Sequence, residues 1–479
     1  LTISAAPVEG DDVVNFAEAQ DGVVLTGTSD PNQMVTVTLG GVSRNVMTNA
    51  QGIWTANFLS SEIPQGTYEA QITATITDAA GNTLTRTDSV SIDTEVQNFS
   101  VSTDPVEGDG IVNGAEASNG IVLTGSTEPG AAVTVTFEGV TRAANVDANG
   151  NWSVAFAAGE VPAGTYTTTA VINTTDMAGN STQTTQTFQV DTLVDTLTGT
   201  NEFIAGDGVV NAAEASQGLT LTGTVERGST VQVTINGVTH TATVDANGNW
   251  SVDLASADIP RGTFDLPVLI EATDAAGNTR SITETLSIDT DAPNSPLVES
   301  YTRDHTGLRG VTIETTEDDV VVSHVTDAGT VEEVANMSFD LGAPLNETSY
   351  AFTQNVPDGS HLVITGTDDA GNTSGTYLVL DDTTTSEVTM TDALANTLGD
   401  YQIETIDLQF AEDSELTITE AQILALNSDT DTLTITGGVD DQITITGATA
   451  HGNDGEGFNI FTLGEATVRI EDDITQVVI

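Results

Sequence analysis

The sequence contains no cysteine and no lysine, and only 5% of its residues are aromatic. Without cysteine, neither a disulfide framework nor a thiolate metal site can form. Without lysine, a phosphate-binding loop that ends in Lys-Ser or Lys-Thr is excluded. No apolar run of about 18 residues occurs, so we expect no membrane insertion. We therefore expect any metal site of this chain to use oxygen ligands.

Negative charge dominates the sequence. The chain has 71 acidic residues against nine arginines, and its formal net charge is -62. Such a surface repels nucleic-acid phosphates, so nucleic acid is not an expected partner. The acidic residues alternate with Val, Ile, Thr and Leu, which is typical of β-strands and not of disorder. We therefore predict folded domains with an acidic surface.

The first residues, Leu1 to Ala6, lack the basic and long apolar regions of a signal peptide. We expect a mature piece or a fragment of a longer protein. Export by a route without a cleaved N-terminal signal stays open.

Internal repetition defines the organisation of the chain. Trp54, Trp152 and Trp250 are 98 residues apart, and two series of aspartates keep the same spacing. This period predicts domains at 1–94, 95–192 and 193–290. A diverged fourth copy at 291–382 keeps a late turn, 367–372, but lacks the tryptophan. Residues 383–479 form a fifth domain of a different kind.

Within the second repeat, six runs have strand character and are separated by turn residues. The predicted strands are 120–126, 132–137, 140–146, 152–156, 166–175 and 181–190. This number of short strands in about 98 residues predicts an antiparallel sandwich of immunoglobulin type. We interpret Trp152 as a core anchor between the sheets, with ligand stacking as the alternative.

The last 97 residues show a different pattern. A helix is predicted over 419–427, and alternating runs follow at 432–436, 442–446, 459–463 and 466–470. Gly-rich turns between the runs favour a meander of β-strands.

A ten-residue acidic loop occurs three times, at 9–18, 107–116 and 205–214. Aligned on Asp109, it carries the second half of a calcium-loop pattern, with a Gly, Asn113 and finally Glu116. Pro105 stands where the first ligand belongs, and Glu107 is the only candidate at the third position. The loop has too few oxygens for the six to eight that calcium takes, so other segments must complete the shell.

We predict that calcium sites lie at the domain junctions. In a sandwich whose last hairpin returns to the pole where the domain began, turn 176–180 lies beside its own acidic loop, and Asp93 arrives from the domain before. The predicted ligands are Asp11, Asn15, Glu18 and Asp78 ahead of domain 1; Asp93, Glu107, Asp109, Asn113, Glu116 and Asp176 between domains 1 and 2; Asp191, Asp207, Asn211, Glu214 and Asp274 between domains 2 and 3; and Asp289, Asp291, Asp368 and Asp369 between domains 3 and 4. The last junction lacks an acidic loop from domain 4, so we expect its site to be altered or weaker.

An ordinary structural role competes with ligation for part of this set. Asp-x-Ala-Gly-Asn is also a common hairpin turn, because Asp and Asn tolerate turn geometry and Gly supplies positive φ. Crowded carboxylates without a cation are costly, which favours ligation for the acidic loops. Ligands that are all oxygens favour calcium over zinc or copper.

The motifs ending in Glu214, Trp250, Asn278 and Pro293 resemble the bacterial immunoglobulin-like repeats of giant, type I secreted adhesins of Gram-negative bacteria. The resemblance covers the first three repeats and part of the fourth. The last domain is similar, more loosely, to β-rich modules near the C-terminal part of such adhesins. The resemblance implies placement outside the cell, rod-like extension and calcium at the junctions. No glycine-rich nonapeptide repeat follows.

We therefore expect an adhesive surface stalk, stiffened by calcium, that serves cell adhesion or biofilm formation. Host-surface, glycan or self-association partners are compatible with it. The first alternative is a protein that assembles into a surface filament, layer or biofilm matrix by strand addition. The second is a carbohydrate-binding or glycan-acting domain 5, whose available aromatics are Tyr401, Phe410, Phe458 and Phe461. Because the five histidines are scattered and no catalytic motif occurs, we expect no enzyme.

Overall fold

The computed structural model describes residues 1–199, 206–326, 328–380 and 387–479. Ala205 and the predicted boundary between residues 382 and 383 lie outside these ranges. The chain divides into two compact units, Leu1–Thr196 with Ala272–Arg280, and Leu197–Glu271 with Ser281–Ile479. In the described ranges, no helix combines the length and apolar character needed to cross a bilayer.

The predicted all-β class is confirmed, since strands dominate and the helices are short. The strands of residues 1–94 are Thr2–Ile3 (β1), Val13–Val14 (β2), Val23–Thr28 (β3), Met34–Leu39 (β4), Val42–Met47 (β5), Ile53–Phe58 (β6), Thr67–Thr77 (β7) and Thr83–Asp93 (β8), with the helix Phe16–Asp21 (α1).

The same order recurs in the next two repeats. The second has Ser100–Val101 (β9), Ile111–Val112 (β10), Ile121–Ser126 (β11), Ala132–Phe137 (β12), Val140–Ala143 (β13), Asn145–Val146 (β14), Asn151–Phe156 (β15), Thr165–Thr175 (β16) and Ser181–Asp191 (β17), with Gly114–Asn119 (α2). The third has Leu197–Gly199 (β18), Val209–Val210 (β19), Leu219–Val225 (β20), Thr230–Ile235 (β21), Val238–Thr241 (β22), Thr243–Val244 (β23), Asn249–Leu254 (β24), Thr263–Thr273 (β25) and Thr279–Asp289 (β26), with Ala212–Gln217 (α3).

Two sheets sandwich the core of the second repeat, in the orders β10-β17-β16-β12-β13 and β14-β15-β11-β9. In β12, buried Val and Phe alternate with Thr, as a strand with one buried face requires. Trp152 is 1% exposed and its Nε1 donates to the Ser100 carbonyl at 3.2 Å. Gly125 leaves room for this ring, because a Cβ there would lie 2.5 Å from it. The interpretation of the tryptophan as a core anchor is confirmed.

The six strands predicted for this repeat are all present within about two residues, and run 140–146 is divided into β13 and β14. The prediction missed β9, β10 and the helix α2. After β9 pairs with the end of β11, the chain crosses to the other sheet, where β10 runs parallel to the end of β17, with Ile111 opposite Gln189. The missed elements therefore place the acidic loop beside the end of the last strand of its own domain.

This crossing moves the acidic loop to the end of its own domain. Turn 176–180 joins the opposite ends of β16 and β17, where Thr175 pairs with Ser181. The loop and the turn are separated by eight residues of strand, roughly 26 Å. The prediction that they lie side by side is wrong, because it assumed that the acidic loop stays at the pole where the chain enters.

The fourth repeat contributes Val298–Asp304 (β27), Gly307–Glu314 (β28), Asp319–Val325 (β29), Val331–Glu333 (β30), Asn336–Asp340 (β31), Glu347–Val356 (β32), Leu362–Thr367 (β33) and Thr373–Leu378 (β34). The last region contributes Glu387–Val388 (β35), Asp392–Gly399 (α4), Ile403–Asp407 (β36), Glu415–Thr417 (β37), Glu420–Leu426 (α5), Thr432–Thr436 (β38), Gln442–Thr444 (β39), Thr449–Asn453 (β40), Phe458–Leu463 (β41), Ala466–Glu471 (β42) and Gln476–Val478 (β43).

The last region is mainly a parallel coil, with one antiparallel section formed by β40, β41 and β42. Strands β36, β38 and β42 pair in parallel, as do β35, β37, β39 and β43, and the chain alternates between the two sets. Along the chain, α4, α5 and the hairpin β40–β41 each follow a strand of the second set and lead into a strand of the first set, as a parallel connection requires. Helix 419–427 and the four predicted runs are present. The meander prediction is wrong for runs 432–436 and 442–446, which pair in parallel, and holds for runs 459–463 and 466–470, which pair antiparallel as β41 and β42.

The fourth repeat and the parallel coil share one nine-stranded sheet, in the order β30-β29-β33-β34-β36-β38-β42-β41-β40. The junction within it is the parallel pair β34–β36. One hydrophobic core includes Val363 and Tyr377 from the fourth repeat with Leu398, Ile406 and Val468 from the coil. These two regions are thus joined through backbone hydrogen bonds and a common core.

Candidate functional site

The Asn and Glu of each acidic loop cap a short helix. Asn113 Oδ1 accepts from the backbone N–H groups of Ala115 and Glu116, at 2.9 and 3.0 Å. In return, Glu116 Oε2 accepts from the Asn113 N–H at 2.9 Å. This reciprocal arrangement is a capping box. The pairs Asn15 with Glu18 and Asn211 with Glu214 repeat it.

The aspartate of each loop also has a backbone partner. Asp109 Oδ1 accepts from the Ile111 N–H at 2.9 Å, and Asp11 and Asp207 make the equivalent bonds at 3.0 and 2.9 Å. Glu107 has a left-handed φ of 54°. Partial burial raises the pKa of Glu107, and the nearby Glu116 carboxylate raises it further. The loop is therefore held by hydrogen bonds of its own.

Turn 176–180 presents an asparagine that its own aspartate positions. Asp176 Oδ1 accepts from the Asn180 backbone N–H at 2.8 Å, and its Oδ2 accepts from Asn180 Nδ2 at 2.7 Å. Both side chains are 7% exposed. With both carboxylate oxygens engaged, Asp176 fixes the direction in which the Asn180 amide points.

Asn180 binds two backbone groups of the preceding repeat. Its Oδ1 accepts from the Phe16 N–H, at the first residue of α1, at 2.7 Å. Its Nδ2 donates to the Asp93 carbonyl, at the end of β8, at 2.9 Å. The first N–H groups of a helix have no partner within the helix, so the turn satisfies a group that otherwise needs water. We call this arrangement the asparagine clasp.

The clasp recurs at the two following acidic loops. Asn278 accepts from the Gly114 N–H at 2.7 Å and donates to the Asp191 carbonyl at 2.8 Å. Asn372 accepts from the Ala212 N–H at 2.8 Å and donates to the Asp289 carbonyl at 2.9 Å. Asp274 and Asp368 hold these asparagines as Asp176 holds Asn180. Three turns thus bind the same pair of backbone groups.

The structure groups the predicted ligands by a different rule. Each acidic loop lies with the last strand of its own repeat and with the turn of the next repeat. The helix start capped by Asn15 and Glu18 lies with Asp93 and Asp176, that of Asn113 and Glu116 lies with Asp191 and Asp274, and that of Asn211 and Glu214 lies with Asp289 and Asp368. The loop aspartates Asp11, Asp109 and Asp207 lie about four residues further back along the last strand, roughly 13 Å away, and Glu107 precedes Asp109. The predicted pairing of each loop with the strand from the domain before is wrong for this reason.

Two predicted residues, Asp78 and Asp369, stand apart from these groups, whereas Asp291 joins the third group because it shares the Thr263 hydroxyl with Asp289. Asp78 lies in turn 78–82, which contacts no acidic loop in the described part of the chain. Asp291 Oδ2 accepts from the Thr263 hydroxyl at 2.9 Å, and Asp369 is exposed. An altered or weaker calcium site stays a prediction for the third junction. Its clasp is complete and gains a bond from Asn211 Nδ2 to the Ala370 carbonyl at 3.1 Å.

Carboxylates approach one another around the clasps. Burial raises the pKa of Asp191 against a hydrogen bond from Thr165, and Asp274 raises it further. Burial likewise raises the pKa of Glu128, where Asp176 and Asp93 add to the shift. Sequence reasoning did not select Glu128. Negative charge is therefore concentrated at these positions.

The described residues do not form a closed calcium site. Across the described ranges, no three acidic or histidine side chains lie close enough together to hold an ion. The oxygens that are present suit calcium chemically, but most of the carboxylates of the acidic loops and clasps already accept hydrogen bonds. Calcium at these positions stays a prediction.

The asparagines of the clasp were also missed as site residues. Their signal is in the sequence, since Asn180, Asn278 and Asn372 each end a copy of one turn motif. The capping role had a signal too, because Asn followed three residues later by Glu is typical of a helix start. Only the contact between a turn and a distant helix had no local signal.

The family model for the bacterial Ig-like domain matches residues 16–94, 107–192 and 205–290, just over half of the chain. A comparison with curated proteins found no match.

Several solved structures are similar to this chain. A Ca2+-stabilized adhesin that helps an Antarctic bacterium bind ice is 30% identical, with 78% of this chain and 98% of that chain covered and a TM-score of 0.33. A structure from a 1.5-MDa bacterial ice-binding adhesin is also 30% identical, with 60% and 98% covered and a TM-score of 0.33. A bacterial immunoglobulin-like domain from the M. primoryensis ice-binding adhesin is 40% identical, with 20% and 96% covered and a TM-score of 0.17. On the evidence of the three matched repeats, the chain belongs to the bacterial Ig-like domain family.

Proposed function

We propose that this chain is a stalk segment of an adhesive protein on the outside of a bacterial cell, and that it has no enzymatic role. The asparagine clasp, repeated at three acidic loops, is the observation that carries the proposal. Turning one repeat against the next breaks two hydrogen bonds to buried or half-buried groups. A chain that must transmit position or force over a distance needs such joints.

The energy of one clasp is sufficient to restrict bending. Leaving a buried hydrogen-bonding group unpaired costs about 1–3 kcal/mol, and each clasp satisfies one N–H and one carbonyl. The net charge of -62 opposes folding of the repeats back on one another. Both effects favour extension. The proposal also agrees with the names of the two 30%-identical chains, which are adhesins.

We propose a division into the five predicted domains, with the fourth and fifth joined by their common sheet. The stalk then consists of the Ig-like repeats, and the parallel coil ends it as a distinct module. Host-surface, glycan or self-association partners remain predictions.

The stalk proposal is tested by small-angle X-ray scattering of the full chain. In a variant with Asn180, Asn278 and Asn372 all changed to Ala, we expect a curve typical of a broader range of shapes. The control changes Asn151 and Asn249 to Ala, because these residues make the same internal turn bonds without joining repeats. An identical curve for wild type and triple variant contradicts the stalk proposal.

The same measurement separates a stalk from a self-assembling filament. Forward scattering reports the mass of the particle, so growth of mass with protein concentration favours the filament. A constant mass of one chain favours the stalk.

We further propose that calcium binds beside the clasps, as a separate claim with its own test. Asp109 and Glu116 are changed to Asn and Gln, which removes two charges, while Gln can still cap the helix. We expect calcium to release heat on titration into the wild-type chain and to raise its melting temperature, with smaller effects in the variant. If calcium releases no heat and does not change the melting temperature of the wild type, calcium binding is disproved. The stalk proposal is unaffected by that result, because the scattering experiment alone decides it.

A further inference from the structure

We propose that turn 78–82 of the first repeat is a docking surface for the end of another Ig-like repeat, with Asn82 as the clasp residue. The partner must present a helix whose first N–H is free, beside a strand that ends in an exposed carbonyl. The inference rests on the geometry of the three observed clasps and does not depend on an adhesive role.

The turn has the internal geometry of the three engaged turns. Asp78 Oδ1 accepts from the Asn82 backbone N–H at 2.8 Å, and Asp78 Oδ2 accepts from Asn82 Nδ2 at 2.8 Å. The engaged turn 176–180 has the same two bonds, at 2.8 and 2.7 Å. The Asn82 amide is therefore already oriented, and docking requires no rearrangement of the turn.

The surroundings of the asparagine are different. Asn180, Asn278 and Asn372 are 7%, 9% and 4% exposed, whereas Asn82 is exposed. Within the described ranges, its Oδ1 meets no helix N–H and its Nδ2 meets no strand-end carbonyl. Asn82 thus presents, ready oriented, the two groups that the other three asparagines bury.

A second copy of this chain does not fit the turn, because the described residues include no free partner of this kind. The three helix starts of the required kind, at Phe16, Gly114 and Ala212, are each held by a clasp. The fourth repeat has no acidic loop, and its last strand continues into the common sheet. The occupant that fits is consequently a further repeat placed ahead of the first.

The spacing within the chain sets the register of such a repeat. Asp93 precedes Asp176, and Asp191 precedes Asp274, by 83 residues in both cases. Placing a copy of residues 95–196 directly ahead of Leu1 puts the copied Asp191 83 residues ahead of Asp78. This extended chain reproduces the spacing of the observed clasps.

The test is hydrogen–deuterium exchange of the extended chain, read by mass spectrometry. The copy carries Ser118→Ala, an exposed position, so that its peptides differ in mass from the original second repeat. We expect the amides at the start of the copied helix to exchange at least about threefold slower with Asn82 present than in an Asn82→Ala variant. Turn 78–82 should also exchange more slowly in the extended chain than in the original chain.

Asn151→Ala serves as the matched control, because it removes the same side-chain turn bond, from Nδ2 to an Asp carboxylate, away from any clasp. It should leave the exchange of the copied helix unchanged. Equal exchange with Asn82 and in the Asn82→Ala variant overturns the proposal. So does a doubling of mass of the original chain that Asn82→Ala abolishes, because the partner is then a second copy. If the first extended chain does not fold, the same exchange experiment is made on a second extended chain, in which a copy of residues 1–98 precedes Leu1 with the same spacing.

Discussion

The first three repeats end in one way and the fourth in another. Each of the first three ends in a helix start and a strand carbonyl, which the asparagine of the next turn binds. The fourth ends in β34, which pairs in parallel with β36 over four residue pairs. The first kind of joint depends on side chains, and the second depends on backbone and core.

The difference explains where the acidic loop is needed. The loop builds the helix start at the end of its own repeat, so a repeat without the loop cannot offer a clasp to the next domain. The fourth repeat lacks the loop, and a continuous sheet takes its place. The joint ahead of the fourth repeat is unaffected because the third repeat supplies that helix, with Ala212 held by Asn372.

The largest expected effect is on the continuous joint. Tyr377 is 1% exposed and packs in the core that the fourth repeat shares with the parallel coil. Tyr377→Ala should lower the free energy of unfolding by about 3–5 kcal/mol, as for other buried aromatics. Because the core is common, β33 and β36 should lose protection together in hydrogen exchange.

Trp152→Ala is the comparison, since Trp152 occupies the core of the second repeat. It should cost a similar amount but leave β33 and β36 protected. If Tyr377→Ala exposes only one of these two strands, the fourth repeat and the coil are separate folding units and the comparison is broken.

A smaller effect distinguishes the two regions by pH. Burial raises the pKa of Asp407 to about 6, against hydrogen bonds from the Gln409 N–H and Thr436, with Glu471 and Asp441 raising it further. The folded coil therefore holds a proton that the unfolded chain releases. This stabilisation is complete below the unfolded pKa of about 4 and is lost as pH rises through 6.

Asp407→Asn should accordingly stabilise the coil at pH 7 by about 2–3 kcal/mol and remove this pH dependence. Two turn aspartates of the repeats should respond in the opposite direction, whereas Glu107, Glu128 and Asp191, whose pKa values burial raises, respond as Asp407 does. Hydrogen bonds from Asn151 and Asn249 lower the pKa values of Asp147 and Asp245, so their contribution is lost as pH falls through the lowered values. Thermal unfolding at pH 4 and 7 measures the first trend, and unfolding below the ordinary Asp pKa of about 3.8 measures the second. A coil that is less stable at pH 4 than at pH 7 contradicts the first.

Much of the fold can be predicted from local patterns. In β12 and β16, alternation of apolar and polar residues identified the strands, and the Asp-x-x-Gly-Asn turns identified the hairpins β14–β15 and β16–β17. Two-residue strands such as β10 have too few residues to show alternation, so they were missed. The direction of pairing in the coil was missed too, because parallel and antiparallel strands of three to six residues look alike in sequence.

The site was predictable in its residues and not in its assembly. The repetition of Asp109, Asn113 and Glu116 marked the acidic loop, and helix capping was readable from the Asn-x-x-Glu spacing. The contact of Asn278 with Gly114 joins residues 164 positions apart. Whether that loop meets its own turn or the next one depends on the crossing between sheets, which no local pattern reports.

The smallest of these effects bears most directly on the clasp. Asn180→Ala removes the partners of the Phe16 N–H and of the Asp93 carbonyl, and should cost about 1–2 kcal/mol locally. Asn151→Ala removes the equivalent side-chain turn bond, from Nδ2 to Asp147 Oδ2, without touching another repeat. The measurement is hydrogen exchange of the Phe16 amide and its helix in the full chain. The clasp predicts exchange about fivefold or more faster in Asn180→Ala and unchanged in Asn151→Ala, and equal exchange in the two variants would contradict it.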